Sequence, residues 1–167
     1  MAFALFNKCG KHLIKQRGIL QMSTLTKAQL AGMMDHTCLK AFAEVKDFEK
    51  LCSEAKEYGF AMVAINSSPV KLCKELLKDT PVHVGAAISF PLGQTTIETK
   101  VFETKKAIED GADEIDYVIN IGELKMGNYD YIKKEMEEIV KVCKENIREI
   151  NGKIFKIDVI EQRNKKK

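Results

Sequence analysis

The sequence contains no apolar run close to the ~20 residues that a membrane-spanning helix needs, which argues against an integral membrane protein. It contains no Cys-x-x-Cys pair, and its five cysteines are odd in number, which argues against a disulfide framework. Three of them occupy apolar positions of helical patterns, as small buried side chains do in a reducing compartment: Cys52, Cys73 and Cys143. His36 and Cys38 are candidate metal ligands, but no second pair at suitable spacing accompanies them, so we expect no metal.

Acidic residues are absent from residues 1–21, where four cations lie among apolar side chains: Lys8, Lys11, Lys15 and Arg17. A second group of cations ends the sequence: Arg163, Lys165, Lys166 and Lys167. The formal net charge is +3, but without these eight cations 19 Lys+Arg stand against 24 Asp+Glu. Nucleic-acid-binding proteins typically carry their positive charge on a folded face with interleaved aromatic residues. We therefore expect no nucleic-acid partner and no membrane partner.

Residues 1–21 have two interpretations that the sequence leaves open. Their basic and apolar composition resembles an organelle transit peptide, although serine is scarce and only one arginine is present. Alternatively, Met22 is the true start of a cytoplasmic protein, or the segment is a plain tail. In either case we set residues 1–21 aside, treat 22–161 as one folded unit and regard 162–167 as a basic tail.

Short apolar runs alternate with helical patterns along the rest of the sequence. Residues 60–65 are almost continuously apolar, which is typical of a parallel strand covered on both faces. The pattern predicts five strands, over 31–39, 60–65, 82–90, 114–120 and 153–160. It predicts four helices, over 44–58, 70–77, 96–110 and 129–148. Thr95 or Thr96 can cap the third helix, and Thr95 with Glu98 fits a capping box. The last helix places six apolar side chains on one stripe: Ile132, Met136, Ile139, Val140, Cys143 and Ile147.

Strict alternation of strands and helices predicts an α/β fold with a parallel sheet and right-handed crossovers. An open doubly wound sheet and a (β/α)8 barrel both satisfy this pattern. No G-x-G-x-x-G follows a strand, which argues against a dinucleotide-binding fold. Polar residues near strand ends favour the barrel: Asp35, Asn66, Ser89, Asp116, Asn120 and Lys156. A barrel needs eight strands and roughly 250 residues, so we expect a TIM-barrel type limited to about five β/α units.

The segment Gly111–Asn120 places a carboxylate inside an apolar strand. Alternation puts Ile115, Tyr117 and Ile119 on one face and Asp116 on the other. Burying an unpaired carboxylate costs several kcal/mol, so a fold that keeps one gives it a partner or a function. Asp116 is therefore either half of a structural ion pair with Lys156 or a functional acid–base group.

Several motifs, in order, are similar to those of deoxyribose-phosphate aldolases. Met34–Lys40 resembles the opening strand of that family, and Ser89–Gly93 resembles its G-F-P-L-G turn with serine replacing the first glycine. The segments 102–105 and 111–122 resemble the middle of the family. The resemblance extends over about residues 30–156.

This resemblance implies a class I aldolase on a TIM barrel, without a metal or other cofactor. Such enzymes cleave 2-deoxy-D-ribose 5-phosphate into glyceraldehyde 3-phosphate and acetaldehyde through a lysine Schiff base, so the expected partner is a small phosphosugar or aldehyde. A deprotonated lysine attacks the carbonyl, and a carboxylate then relays protons. Asp116 matches the family's acid–base group, while Asp35 and Lys156 match supporting positions. Asn66 and Asn120 are the candidate substrate-binding residues.

Two alternatives concern individual side chains. Asn66 contacts substrate or merely caps the following helix. His83 is expected to face a helix or solvent in a purely structural role, as isolated histidines commonly do.

The family carries its imine lysine on the sixth strand, a second lysine on the seventh and its phosphate site in the last loops. The five predicted strands include none of these, so we expect this polypeptide to be inactive alone. Lys156 is a poor substitute as nucleophile because imine geometry is demanding. The alternatives are a non-enzymatic fragment that associates with full-length subunits or aggregates through exposed strand edges, and a different phosphosugar-binding barrel. A homo-oligomer is a further alternative for the assembly of this polypeptide.

Overall fold

The computed structural model describes residues 25–147 and 157–160. Its strands are β1 (Asp35–Cys38), β2 (Met62–Asn66), β3 (His83–Ile88), β4 (Glu114–Val118) and β5 (Ile157–Ile160). Its helices are α1 (Lys27–Ala31), α2 (Val45–Tyr58), α3 (Val70–Leu76), α4 (Ile97–Glu109), α5 (Ile121–Lys125) and α6 (Tyr129–Ile147). The predictions for residues 1–21, for Lys156 and for the tail 162–167 lie outside the described residues.

The five strands form one sheet in the order β1-β2-β3-β4-β5, and each neighbouring pair is parallel. Spatial order therefore follows chain order without a reversal. A doubly wound sheet reverses its strand order at a switch point, where ligands bind. The order observed here is that of a sheet curving in one direction, which removes the doubly wound alternative.

The core lies between the sheet and its helices. Alternate residues of the three central strands are buried on the helix side: Val63, Ile65, Val84, Ala86, Ile88, Ile115 and Tyr117. The prediction that Ile115 and Tyr117 share a face opposite to Asp116 agrees with this packing. Cys52, Cys73 and Cys143 are free and buried in the same core, as predicted. Burial raises the pKa of the Cys143 thiol to about 11, which keeps it protonated at neutral pH.

Two short helices were not predicted. Residues 27–31 form α1 because a capping box closes its first turn. The Thr26 hydroxyl accepts a hydrogen bond from the Gln29 amide, and the Gln29 side chain accepts one from the Thr26 amide. The first strand therefore begins at Asp35. Helix α5 follows β4 directly, with Asn120 as its N-cap. One-turn helices are set by local capping, which a search for apolar periodicity does not detect.

Two details of the longer helices differ from prediction. Helix α4 has Thr96 as its N-cap, bonded to the Thr99 amide, so the predicted Thr95–Glu98 capping box is wrong. In α6, Met136 is 39% exposed and Val140 is only half-buried, so the apolar stripe is rotated from the predicted one. Among residues 25–147, no helix is both long and apolar enough to cross a membrane.

Candidate active site

A row of side chains crosses the sheet face that points away from the helices. The parallel register aligns Asn66 of β2 with Ala87 of β3, and Ala87 with Asp116 of β4. The backbone of Asp158 on β5 pairs with that of Asp116 in the same register. Adjacent strands lie ~4.8 Å apart, so the backbones of Asn66 and Asp116 are about 10 Å apart with Ala87 between them. Ala87 is itself buried and lines the neighbouring cleft.

Asp116 is half-buried in this row, at the middle of β4. A carboxylate in that position is shielded from bulk water on the sheet side and remains reachable from the open face. The acid–base role of Asp116 stays a prediction. The alternative ion pair with Lys156 stays a prediction, because Lys156 lies outside the described residues.

Asp35 lies on the same sheet face but not in this row. It aligns with Met62, which precedes Asn66 by four residues on β2. Four residues at ~3.3 Å each span about 13 Å. Measured along the strands, Asp35 therefore lies about 13 Å closer to their amino ends than the row does. The strand register alone does not bring Asp35 to the row. Its proposed support of a lysine network therefore stays a prediction.

A cleft of about 400 Å³ opens beside the row at the carboxyl ends of β2 and β3. Its volume falls within the range of small-molecule sites. Asn66 and Ala87 belong to both the row and the cleft, so the two features are continuous. The remaining lining residues come from the loop after β3 and from α4: Ser89, Phe90, Leu92, Gln94, Thr95 and Glu103.

Asn66 and Asn120 have different surroundings. Helix α3 has Pro69 as its N-cap and no side-chain cap hydrogen bond, so the interpretation of Asn66 as its helix cap is wrong. Asn120 does cap α5, since its Oδ1 accepts a hydrogen bond of 3.2 Å from the Glu123 amide. A substrate contact remains a prediction for both residues.

Glu103 is a site residue that the sequence reasoning missed. Its Oε1 accepts a 2.8 Å hydrogen bond from the Ser67 hydroxyl, and its Oε2 accepts a 2.9 Å bond from the Ser89 amide. One carboxylate thus joins the loop after β2 to the loop after β3 at the edge of the cleft. The sequence does contain one signal for Glu103. It is an acidic residue directly before Thr104, which faces inward on α4.

A buried ion pair lies behind the same loops and was also missed. Lys100 of α4 and Glu135 of α6 have fully buried side chains and form a salt bridge. The Lys100 ammonium also donates to the carbonyls of Gly93 (2.8 Å) and Val118 (2.9 Å). Burial, together with the negative charge of Glu135 nearby, raises the pKa of the Tyr117 hydroxyl, so that phenol stays neutral.

Within the described residues, His36 and His83 each pair with a glutamate. His83 is exposed and its Nδ1 lies 2.8 Å from Glu114, as expected for a side chain that faces solvent. His36 pairs with Glu54 of α2 at 2.8 Å, and this hydrogen bond lowers the pKa of the Glu54 carboxyl. Within residues 25–147 and 157–160, no cluster of three or more His, Cys, Asp or Glu side chains is arranged to hold a metal ion.

Ser89 is strained by its backbone and secured by its hydroxyl. Its φ is +56°, in the left-handed region, and its Oγ lies 2.7 Å from Thr95 Oγ1. Ser89→Gly removes the strain and the hydrogen bond together, whereas Ser89→Ala keeps the strain and loses the bond. We therefore expect Ser89→Ala to be less stable than Ser89→Gly by about 1 kcal/mol in urea unfolding. Equal stability, or a less stable glycine variant, would contradict this account of the turn.

Comparison with known proteins identifies relatives of this arrangement. The family model described as DeoC/LacD family aldolase matches residues 29–147. The deoxyribose-phosphate aldolase of Lactobacillus acidophilus is 58% identical over 121 residues, which cover 72% of this chain and 51% of that protein. The Bacteroides thetaiotaomicron enzyme of the same name is 54% identical over 123 residues, covering 74% of this chain and 52% of that protein.

The fold agrees with these sequence matches. The deoxyribose phosphate aldolase of Aeropyrum pernix, described as tetrameric, superposes with a TM-score of 0.68 at 30% identity, covering 79% of this chain and 53% of that one. The chain thus spans about half the length of the curated relatives it matches. Its parallel units are those of a TIM barrel, limited to five in the described residues. Since the matched residues 29–147 include β1 to α6 and the row from Asn66 to Asp116, the chain belongs to the DeoC/LacD family of aldolases.

Proposed function

We propose that this chain supplies the amino-terminal half of the active site of a 2-deoxy-D-ribose 5-phosphate aldolase, with Asp116 as the group that transfers protons. The observation that carries this proposal is the half-buried Asp116 in register with Ala87 and Asn66, on the open face of the sheet. The relatives named deoxyribose-phosphate aldolase support the substrate.

The proposed chemistry is reversible carbon–carbon cleavage through a lysine imine. The protonated imine withdraws the electron pair of the breaking bond, so that an enamine and glyceraldehyde 3-phosphate form. Asp116 accepts the proton of the sugar hydroxyl during cleavage and returns a proton to the enamine carbon, directly or through water. Asn66 at the cleft is placed to hydrogen-bond a sugar hydroxyl. Asp35 and Lys156 act as supporting polar groups near the lysine.

The imine lysine belongs to the part of the site that the first five units do not provide. The resemblance assigns that lysine to the sixth strand and the phosphate site to the last loops. We infer that the 167-residue polypeptide by itself does not turn over the sugar phosphate, because without the imine there is no electron sink. Free, buried Cys52 and Cys73 suit a reducing compartment, and we place the protein in the cytoplasm.

A second candidate function follows from the sheet edges. β1 and β5 are the outer strands of the described sheet, and unpaired strand edges are templates for pairing with another chain. On this hypothesis the polypeptide is a non-enzymatic fragment that associates with full-length aldolase subunits or self-associates. Gel filtration combined with thermal unfolding separates the two hypotheses. A monomer that unfolds cooperatively counts against association through the edges of β1 and β5.

The proposed function is tested in a chimaera in which residues 29–147 replace the matching segment of the Lactobacillus acidophilus aldolase. At 58% identity over 121 residues, we expect the two halves to pack and to cleave 2-deoxy-D-ribose 5-phosphate within about tenfold of the parent's kcat/KM. The 167-residue polypeptide is measured in parallel and is expected to be inactive. A folded chimaera without activity would overturn the proposal that this half supplies a working site.

A further inference from the structure

We propose that the buried Lys100–Glu135 pair is a positioning device that holds the loop after β3 in place against the carboxyl end of β4, which lies between Asp116 at mid-strand and Asn120 in the following turn. The inference rests on the proposed function only for its consequence in catalysis. Its structural content, the coupling of these two segments, is independent of which reaction the site performs.

The three protons of the Lys100 ammonium are all used. One is donated to Glu135 Oε1, one to the Gly93 carbonyl at 2.8 Å and one to the Val118 carbonyl at 2.9 Å. A lysine ammonium has three donors and no acceptor, so this side chain is fully satisfied. Two of its partners are backbone atoms of the two segments that border the site. The ammonium therefore bridges the loop to the strand end.

Glu135 completes the bridge from the other helix. Its Oε2 accepts a 3.1 Å hydrogen bond from the Asn120 amide, while its Oε1 receives the Lys100 proton. Asn120 in turn caps α5. A single carboxylate on α6 thus fixes the turn that follows β4, two residues beyond the strand.

The loop is packed directly onto the strand end at the point where the ammonium binds. Gly93 has a φ of +67°, and a Cβ on it would lie 2.2 Å from the Ile119 carbonyl and 2.8 Å from a Val118 methyl. The carbonyls of Gly93 and Val118 both point toward the same small volume. Two carbonyl dipoles meeting end to end repel each other, and a buried cation between them converts that repulsion into attraction.

A buried ion pair is in general weak evidence for a role in stability, which is why we assign Lys100–Glu135 a positioning role. Apolar residues of similar volume can often replace a buried ion pair without loss of stability. What they cannot replace are the three directed hydrogen bonds to the backbone of Gly93, Val118 and Asn120. The positions of the segments around Asp116 therefore depend on the charges of Lys100 and Glu135 and on the directions of their hydrogen bonds.

The first test uses the 167-residue polypeptide and amide hydrogen exchange measured by NMR. The Lys100→Met/Glu135→Gln variant has no buried charge and keeps an acceptor for the Asn120 amide, but it lacks the bridge to Gly93. We expect the Gly93 amide, which bonds to the Ser89 carbonyl, to exchange at least about tenfold faster, with Ile65 in β2 unchanged. Lys106→Met, an exposed lysine on the same helix, serves as the matched control. Exchange at Gly93 within about twofold of the unmodified chain would overturn the inference.

The second test measures catalysis in the active chimaera. We expect Lys100→Met/Glu135→Gln to lower kcat at least about tenfold while KM changes less, because the variant displaces the acid–base group more than it weakens substrate binding. Lys106→Met in the same chimaera is the matched control and should leave kcat and KM unchanged. An unchanged kcat in the folded double variant would overturn the catalytic consequence. If the unsubstituted chimaera is itself inactive, the proposed function fails, and exchange at Gly93 still decides the inference.

Discussion

Lys100→Met lowers the free energy of unfolding by about 3–5 kcal/mol, the effect expected when one partner of a fully buried ion pair is removed. The carboxylate of Glu135 is then left in the interior without its cation. The carbonyls of Gly93 and Val118 lose their donor at the same time. Urea unfolding of the 167-residue polypeptide, followed by circular dichroism, measures the change.

Two further variants keep this prediction testable if the single variant does not fold. Lys100→Met/Glu135→Leu removes both charges, and we expect it to be more stable than Lys100→Met by at least about 2 kcal/mol. Lys106→Met removes a lysine that is 53% exposed, and it should change stability by less than about 0.5 kcal/mol. A double variant no more stable than the single one would contradict the account of the buried charge.

Asp116→Asn in the active chimaera lowers kcat by about 10²–10⁴-fold, the usual contribution of a positioned acid–base group. The amide has nearly the shape of the carboxylate but does not accept and return a proton at neutral pH. Since the side chain is half-buried on the open face, we expect the melting temperature to change little. Steady-state assays of sugar phosphate cleavage measure the loss.

Asp130→Asn is the matched control, because Asp130 is an exposed aspartate in the first turn of α6. It should leave kcat and KM unchanged. A folded Asp116→Asn chimaera that retains kcat within about threefold would remove Asp116 from the acid–base role. The carboxylate would then be better explained by the structural ion pair.

The sheet could be predicted because each strand carries its own apolar pattern in a short stretch of sequence, and this pattern repeats from strand to strand. A parallel strand covered on both faces must be almost entirely apolar, so Phe60–Ile65 stood out, and β2 occupies Met62–Asn66. Asp116 stood out for the same reason, as a charge in a strand whose alternate residues Ile115 and Tyr117 are buried in the core. The row with Asn66 required the register, which the sequence does not contain.

The polar network behind the loops could not be predicted because its partners are far apart in sequence. Lys100 and Glu135 each look like ordinary surface residues of an amphipathic helix, and only the packing of α4 on α6 buries them together. Glu135 also explains the misplaced stripe of α6. With Glu135 turned inward, Met136 moves toward solvent. Apolar periodicity assigns charged residues to the surface and has no means to detect such a pair.

Reduction with borohydride in the presence of 2-deoxy-D-ribose 5-phosphate tests the central claim most directly, because it traps a lysine imine covalently. Peptide mapping compares the chimaera with the 167-residue polypeptide, and Lys156→Arg serves as a control in the polypeptide. The account predicts a saturable adduct in the chimaera on a lysine contributed by the Lactobacillus acidophilus half, and none in the 167-residue polypeptide. A saturable adduct on Lys156 of the polypeptide would contradict it, because these residues would then contain their own electron sink.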